Sequence, residues 1–290
     1  MPQHSERRFA AADGLEIYAQ TWAADQARAH LVIVHGLGEH SGRYQNYVDY
    51  FVPRGFTLHG ADLRGHGRSG GKQGYVDRFD QYVADIDRRV AHIRSADPAT
   101  PMFILGHSLG SLMALKYGLD HPAGLGGVVV TGTALRDALV MPKWKRSLAN
   151  VLSNVTPALK MDNGVLTKYL SHDPAVIAAY DADPLVHRWG TPRLATEAEK
   201  VRAELYRRAS EWQVPLLMLH GGDDRVCLSA GARAFAGQVP AALVTYREFD
   251  GLYHEIHNER ERALVFGEIE AWLEARLAPP GAVRPMDTAA

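Results

Sequence analysis

The most informative stretch of the sequence is residues 103–110, which read Phe-Ile-Leu-Gly-His-Ser-Leu-Gly. The apolar run at its start is typical of a buried strand, and residues 109–117 after it have the composition of a helix. Between them lies a G-x-S-x-G motif, whose glycines permit a sharp turn around Ser108. A serine on such a turn presents its hydroxyl above the end of a sheet, next to backbone N–H donors. The stretch therefore predicts a nucleophile for attack on a carbonyl and favours a hydrolase.

The same five-residue pattern occurs a second time, at residues 67–71, which read Gly-Arg-Ser-Gly-Gly. The apolar strand predicted before it ends several residues earlier, at Asp62, and the Lys-Gln-Gly that follows is typical of a loop. Because the strand and helix that give the motif its mechanism are missing, we predict that Ser69 is an ordinary loop serine.

The chain alternates short apolar runs with longer segments of helical periodicity. The predicted strands are residues 16–22, 31–35, 56–61, 102–105, 126–131, 214–220 and 243–249, and the predicted helices are 44–52, 79–94, 109–117 and 259–277. Strands that are apolar along their whole length and separated by helices are typical of a parallel sheet covered on both faces. The sequence therefore predicts an α/β fold with a mostly parallel central sheet and helices on both sides.

Residues 133–210 break this alternation, since they contain five prolines and no clear strand. A segment of that length is not a bare loop in a compact domain. We predict a helical cap inserted between two parts of the core, residues 7–132 and 211–277, with residues 278–290 as a flexible tail.

One predicted helix of this cap is amphipathic. Its apolar face follows Lys143, Lys145 and Arg146 and consists of Leu148, Val151, Leu152, Val155 and Leu159. This face either forms a lid that contacts acyl chains or a membrane surface, or packs against the core.

Composition excludes several classes of protein. The 290 residues carry a net charge of −1, with 46% hydrophobic and 22% charged residues, as in ordinary globular proteins. No basic excess indicates a nucleic-acid partner. A single cysteine, Cys227, excludes an internal disulfide and a cysteine-based zinc cluster, and it is compatible with the cytoplasm. Residues 1–8 are polar and do not resemble a signal peptide, and no apolar run reaches the length of a membrane span.

A serine nucleophile needs a histidine base oriented by a carboxylate. In this kind of fold the acid and then the histidine follow the serine, each in a loop after a strand. Asp223 and Asp224 both fit the acid position, and spacing alone does not separate them. His254 lies in the loop after the last strand, whereas His257 lies at the start of the final helix, where a capping or surface role is common. His254 is therefore the predicted base.

Two backbone N–H groups are predicted to form the oxyanion hole. One belongs to Leu109, directly after the nucleophile, and the other to Leu37, in the sequence His-Gly-Leu-Gly at residues 35–38.

Several segments of the chain resemble one family closely. Residues 35–44 read His-Gly-Leu-Gly-Glu-His-Ser-Gly-Arg-Tyr, and further matching stretches lie at 62–69, 106–110, 181–186, 222–227 and 253–259. Together they resemble monoacylglycerol lipases and the related bacterial lysophospholipases of the α/β-hydrolase superfamily, over about residues 7–277.

This resemblance implies a role for individual residues. It matches Ser108 to the nucleophile, Asp224 to the acid, His254 to the base, and Leu37 with Leu109 to the oxyanion hole. It also matches Glu39, Arg43, Tyr180 and His257 to the alcohol end of the substrate pocket. As alternatives, Glu39 and Arg43 form a structural ion pair and Tyr180 packs within the cap.

We therefore predict a serine ester hydrolase, without metal or other cofactor, whose substrates are single-chain acyl lipids: monoacylglycerols first, lysophospholipids second. Alternative substrates are short-chain or aromatic esters and peptides with an N-terminal proline, and a further alternative is a non-catalytic receptor for a small molecule. The predicted location is cytoplasmic, with transient contact between the cap and the inner membrane surface. The cap resembles the family only in pattern, so the preferred acyl-chain length is not predicted.

Overall fold

The computed structural model describes residues 3–138 and 142–277, and the tail predicted at 278–290 lies outside them. The strands are β1 (Gln3–Ala10), β2 (Glu16–Ala23), β3 (Ala29–Val34), β4 (Phe56–Ala61), β5 (Met102–His107), β6 (Leu125–Thr131), β7 (Met161–Asp162), β8 (Trp189–Gly190), β9 (Leu216–Gly221) and β10 (Val244–Phe249). The helices are α1 (Gln45–Phe51), α2 (Asp80–Ala96), α3 (Leu109–Asp120), α4 (Lys143–Val155), α5 (Pro174–Ala182), α6 (Pro192–Arg208), α7 (Ser229–Ala236) and α8 (Arg262–Leu277).

The central sheet has eight strands in the order β1-β2-β4-β3-β5-β6-β9-β10. Strand β2 runs antiparallel to its neighbours β1 and β4, and every pairing from β4 to β10 is parallel. In such a sheet the parallel strands end at a common edge, and the loops that follow them lie together. The prediction of a mostly parallel sheet is confirmed.

The central strands are apolar throughout because each of their faces is covered by helices. Successive residues of β3 point to opposite faces and belong to two separate clusters of buried side chains, Leu31 to one and Val32 to the other. The larger cluster includes side chains of α2, α3, α6 and α7, and the smaller one includes side chains of α1 and α8. Each fully buried large apolar side chain contributes about 1.5–3 kcal/mol to stability. The two clusters, one on each face, therefore hold the sheet and its edge in place.

Two elements of the core differ from the sequence expectation. Strand β1 was not predicted, because most of its residues are polar and exposed. It forms through a continuous backbone ladder with β2, from Gln3 opposite Ala23 to Ala10 opposite Glu16. Helix α7, between β9 and β10, was likewise not predicted.

The segment 133–210 is mainly helical, but the expectation that it contains no strand is wrong. β7 and β8 form a short antiparallel pair, in which Asp162 lies opposite Trp189. Helix α6 packs on α3 and places Val201 and Leu205 in the larger core cluster. We propose that this segment is a cap and that α6 joins it to the core.

The apolar face of α4 is largely exposed. The exposed fractions are 47% for Leu148, 58% for Val151 and 71% for Val155. On the opposite side of the helix, the Ser153 hydroxyl lies 2.9 Å from that of Thr196 on α6. The alternative in which the apolar face packs on the core therefore does not describe these side chains.

Candidate active site

Ser108 occupies the turn between the end of β5 and the start of α3. Its backbone has φ 51° and ψ −121°, and it is the one non-glycine residue with positive φ in the described part of the chain. A Cβ on Gly106 would lie 2.5 Å from the carbonyl oxygen of Gly110, and one on Gly110 would lie 2.1 Å from that of Val34. Only glycine fits at either position, which is the physical basis of the G-x-S-x-G motif here.

Hydrogen bonds hold this turn on both sides. The Ser108 N–H donates to the Thr131 carbonyl on β6 at 3.0 Å. The Ser108 carbonyl accepts from the N–H of Ser111 at 2.9 Å and from its hydroxyl at 2.5 Å. Both the N–H and the carbonyl of Ser108 are thus hydrogen-bonded. The residue itself is only partly buried, whereas the residues on either side of it are buried.

Ser69, in the second copy of the pattern, has a different environment. Its hydroxyl donates to the Asp62 carbonyl at 2.6 Å and accepts from the Tyr18 N–H at 2.9 Å. Ser69 therefore joins a loop to β2, as expected for a structural loop serine.

A buried histidine–aspartate pair is formed by the loops that follow β9 and β10. His254 Nδ1 lies 2.7 Å from Asp224 Oδ2, and both side chains are almost completely buried. Asp224 Oδ1 accepts from the N–H groups of Val226 and Cys227, each at 2.8 Å. Asp223 is exposed, so the structure places Asp224, and not its neighbour, against the imidazole.

A second histidine, His220, supports the same carboxylate. Its Nε2 lies 3.0 Å from Asp224 Oδ2 and 2.9 Å from the Cys227 carbonyl oxygen, two acceptors that require a proton on this nitrogen. Sequence reasoning missed His220, because a histidine at the end of an apolar strand carries no signal of this contact.

These contacts determine the charges of the pair. Burial alone would raise the pKa of Asp224, but the positive charge of His254 and the hydrogen bonds from His220 and His254 outweigh it and hold this pKa far below its usual range. Burial alone would lower the pKa of His254, but the charge and hydrogen bond of Asp224 outweigh burial, and the pKa is raised. Asp224 is therefore ionised, and the His254 imidazole is a stronger base than a free histidine.

The Cys227 thiol also lies beside these groups, and Ser108 is a hydrogen-bond neighbour of it. Burial, together with the carboxylates of Asp224 and Asp137, raises its pKa well above the usual value. The thiol therefore stays protonated and behaves as a small buried side chain.

The loop after β3 lies directly against the serine. A Cβ on Gly36 would lie 3.1 Å from Ser108 Cβ, so a side chain at this position would press on the serine. The Gly36 N–H donates to Glu39 Oε1 at 2.6 Å, and the Gly38 carbonyl accepts from the His187 N–H of the cap at 2.8 Å. These two bonds fix the loop on either side of Leu37.

The N–H groups of Leu37 and Leu109 were predicted to form the oxyanion hole. Within residues 3–138 and 142–277, neither donates a hydrogen bond to another residue. Both belong to backbone held close to Ser108, since Gly36 contacts that serine and Leu109 follows it.

A buried ionic cluster lies on the same loop. The Arg43 guanidinium donates to both oxygens of Glu255 at 2.8 Å and to Glu39 Oε2 at 2.7 Å, and it stacks 4.5 Å from the centre of the Tyr180 ring. Tyr44 donates its hydroxyl to Glu39 Oε1 at 2.9 Å.

Three of the four predicted pocket residues thus lie together, since Glu39 and Tyr180 both contact Arg43. The structural ion pair foreseen as an alternative for Glu39 and Arg43 is present, with Glu255 as a member that sequence reasoning missed. Burial would raise the pKa of Glu255, but Arg43 outweighs it and holds that pKa low. A substrate role for these residues stays a prediction.

His257, the fourth pocket residue, does not have the capping or surface position that its sequence context favoured. It is completely buried in a 3₁₀ turn, Ile256–Asn258. Its ring stacks on Tyr44 at 5.3 Å and lies 4.7 Å from the His107 ring. Burial lowers the pKa of His257 to about 4, so the ring is neutral near pH 7.

In the described ranges, no group of three or more His, Cys, Asp and Glu side chains is arranged to hold a metal ion. No helix in these ranges is both long and apolar enough to cross a membrane.

Comparison with known proteins places the chain in a family. The profile of the family described as serine aminopeptidase, S33, matches residues 25–261. A monoacylglycerol lipase of Mycolicibacterium smegmatis is 33% identical over 275 residues, which cover 94% of this chain and 98% of that protein. Phospholipase YtpA of Bacillus subtilis is 29% identical, with 88% of this chain and 98% of that protein covered.

The fold agrees with this relationship. The crystal structure of the Paleococcus ferrophilus monoacylglycerol lipase superposes with a TM-score of 0.81 at 29% identity, covering 94% of this chain and 99% of that one. The predicted resemblance is confirmed. The chain belongs to the serine aminopeptidase S33 family of the α/β-hydrolase superfamily, it is similar to monoacylglycerol lipases over nearly its whole length, and it is a serine hydrolase.

Proposed function

We propose that the protein hydrolyses the ester bond of monoacylglycerols, with Ser108, His254 and Asp224 as its catalytic triad. The observation that carries this proposal is the strained Ser108 turn at the same sheet edge as the buried His254–Asp224 pair. A serine hydroxyl is a weak nucleophile alone, and a histidine made more basic by a buried carboxylate is the group that activates it.

The reaction proceeds in two halves. His254 takes the proton of the Ser108 hydroxyl while its oxygen attacks the ester carbonyl, and Asp224 stabilises the imidazolium that forms. The N–H groups of Leu37 and Leu109 donate hydrogen bonds to the carbonyl oxygen and stabilise its negative charge. His254 then protonates the leaving glycerol oxygen. In the second half the same imidazole removes a proton from water, whose oxygen attacks the acyl carbonyl. The bond from the carbonyl carbon to the Ser108 oxygen then breaks, the fatty acid leaves, and His254 returns the proton to the Ser108 oxygen.

Two features support a lipid ester as the substrate. The relative from M. smegmatis is a monoacylglycerol lipase that matches over nearly the whole length of both chains. In addition, α4 exposes the side chains of Leu148, Val151 and Val155, which suit contact with acyl chains.

The same apolar face supports a transient contact of the cap with a membrane surface. An amphipathic helix lies in the membrane interface with its apolar side buried among acyl chains. The sequence places three cationic residues, Lys143, Lys145 and Arg146, at the start of this helix. We place the working enzyme in the cytoplasm, at the inner membrane surface from which it draws its substrate.

Lysophospholipids are the second candidate substrate, because Phospholipase YtpA of B. subtilis is 29% identical over most of the chain. The two substrates share the single acyl chain and the ester and differ in the group on the alcohol side. The neighbouring cluster of Arg43, Glu39 and Glu255 carries a net negative charge, since one guanidinium faces two carboxylates. This charge disfavours a phosphate at that end and favours neutral glycerol.

The experiment compares the wild type with Ser108→Ala on four substrates: a long-chain monoacylglycerol, a lysophosphatidylcholine of the same chain, p-nitrophenyl acetate and prolyl-p-nitroanilide. We expect the highest kcat/KM on monoacylglycerol, and no hydrolysis and no fluorophosphonate labelling in Ser108→Ala. Ser69→Ala is the matched control and should label normally. Labelling that persists in Ser108→Ala contradicts the triad, and a maximum on the acetate or the anilide contradicts the lipid substrate.

A further inference from the structure

A cavity lies between β1 and α2, and its lining contains no residue of the proposed triad and none of the predicted pocket residues. Its volume is about 390 Å³, and its lining includes Arg7 and Phe9 of β1 and Arg88, Arg89 and His92 of α2. Pockets for small molecules have volumes of about 300–1,000 Å³. This groove, called here the β1–α2 groove, is therefore large enough for a small ligand.

The charged side chains of the groove are all cationic and lack acidic partners. None of Arg7, Arg88 and Arg89 forms a salt bridge within the described part of the chain. The acid one turn earlier on α2, Asp85, binds Arg64 through both of its oxygens, at 2.8 and 2.9 Å.

His92 adds a neutral donor or acceptor to the groove. Arg7 Nη1 and His92 Nε2 are hydrogen-bond neighbours. Burial and the charges of Arg7 and Arg89 lower the pKa of His92, which keeps the ring neutral. Arg88 donates from Nη1 to the Ala10 carbonyl at 3.3 Å, which leaves most of its N–H donors for other partners.

Arg89 is the most unusual of these residues, because it is only 4% exposed. Its Nη2 donates to the Thr21 hydroxyl at 2.7 Å and lies 3.3 Å from His59 Nδ1, whereas its Nε has no hydrogen-bond partner. Burial, together with the charge of Arg7, lowers the pKa of Arg89 to about 10. A buried cation without a carboxylate is costly, and the cost falls when an anion binds beside it.

The carboxylate connected to Arg89 is remote. His59 Nε2 lies 3.0 Å from His30 Nδ1, and His30 Nε2 lies 3.2 Å from Asp97 Oδ2. Two imidazole rings thus separate Arg89 from Asp97. The chain orients the Arg89 side chain without placing a negative charge against it.

We propose that the β1–α2 groove binds a phosphate group. Three arginines line this one cavity, and a guanidinium carries the forked N–H donors that match phosphate oxygens, of which phosphate offers more than a carboxylate does. Phe9 provides an apolar wall for the organic part of a phosphate ester. The phosphate belongs either to a small soluble ester or to the headgroup of a phospholipid.

The test uses inorganic phosphate and glycerol 3-phosphate with the full-length protein, at constant ionic strength adjusted with chloride. The groove variant is Arg7→Gln with Arg88→Gln, which leaves the buried Arg89 in place. Arg207→Gln, an exposed arginine on α6, is the matched control. Each phosphate compound should raise the Tm of the wild type and of the control. The groove variant should need at least about tenfold more ligand for the same shift, because charge-assisted hydrogen bonds are lost.

A second arm separates the two sources of the phosphate. Flotation with vesicles of phosphatidylcholine, with and without phosphatidic acid, measures binding to a lipid headgroup. Binding that requires phosphatidic acid and falls in the groove variant, with no Tm response to the soluble compounds, assigns the site to a lipid. Equal behaviour of the wild type and the groove variant in both arms overturns the proposal. Hydrolysis of a soluble ester should be unchanged in the groove variant, which checks its folding.

Discussion

His254 Nδ1 lies 2.7 Å from Asp224 Oδ2, whereas the adjacent Asp223 is exposed. If this bond orients the base, Asp224→Asn lowers kcat on a soluble ester by about 10⁴-fold, because the imidazole loses its orientation and charge partner. Asp223→Asn, which changes the same chemical group one residue away, should keep nearly full activity. Thermal unfolding of both variants checks that the fold survives. Similar losses in the two variants would show that Asp224 has no special role.

The pH profile of kcat/KM should reflect the raised pKa of His254. The base accepts a proton only when neutral, so activity falls as pH drops through its pKa. Because that pKa is raised above the ordinary 6.5, the acidic limb should have its midpoint above pH 6.5. Asp224→Asn removes the cause of the increase and should move the midpoint of the residual activity to lower pH. A midpoint below 6.5 in the wild type would contradict a raised pKa for the base.

Gly38 and Gly14 provide a matched pair for the loop beside the serine, since both have φ +82°. A Cβ on Gly38 would lie 2.2 Å from the His187 carbonyl oxygen, whereas one on Gly14 meets nothing within 4 Å. Gly14→Ala should cost about 1–2 kcal/mol of stability through its backbone conformation and leave kcat unchanged. Gly38→Ala must also displace the loop that carries Leu37, so kcat should fall by about 10²-fold or more. Equal kcat values in the two variants would argue against a role for this loop in catalysis.

The buried cluster around Arg43 should contribute to stability. Arg43→Leu leaves Glu39 and Glu255 buried without their cation, and the free energy of unfolding should fall by about 3–5 kcal/mol. The control is Arg247→Leu, which breaks an exposed pair with Glu268 and should cost at most about 1 kcal/mol. Urea unfolding followed by circular dichroism measures both. An unfolding free energy for Arg43→Leu close to that of Arg247→Leu would show that the cluster is not structural.

The exposed face of α4 should matter only for substrates held in a lipid surface. Val151→Glu combined with Leu148→Glu should lower turnover of monoacylglycerol in vesicles by about tenfold or more, because each side chain loses about 1.5–3 kcal/mol of burial among acyl chains. Hydrolysis of a soluble acetate should be unaffected. Asn150→Glu, an exposed position on the same helix, controls for added negative charge. Unchanged turnover of monoacylglycerol in vesicles, or an equal loss on the soluble acetate, would contradict the membrane contact.

Much of the fold could be predicted because its signals are local. Continuous apolar runs define the central strands, and Gly106 and Gly110 mark the turn that only glycines permit. Strand β1 was missed because its residues are polar and its stability comes from backbone pairing with β2. Local patterns carry no information on that pairing.

At the candidate site, too, the residues with a local sequence signal were predicted and those held by distant contacts were not. Ser108 was predicted from its motif with the flanking strand and helix, and His254 from strand order, whereas spacing did not separate Asp223 from Asp224. His220 and Glu255 were not found, because their contacts join residues far apart in the chain or on opposite sides of a turn. Such contacts depend on side-chain packing, which periodicity and motifs do not encode.

The backbone of Ser108, at φ 51°, is one that glycine adopts at much lower cost. The proposed nucleophile is therefore held in a conformation that weakens the folded state. Replacement by glycine would relieve this strain, so the most stable version of the chain and the most active one differ at this residue. If Ser108 is the nucleophile, the cost of this backbone conformation in stability is the cost of placing the hydroxyl for the reaction.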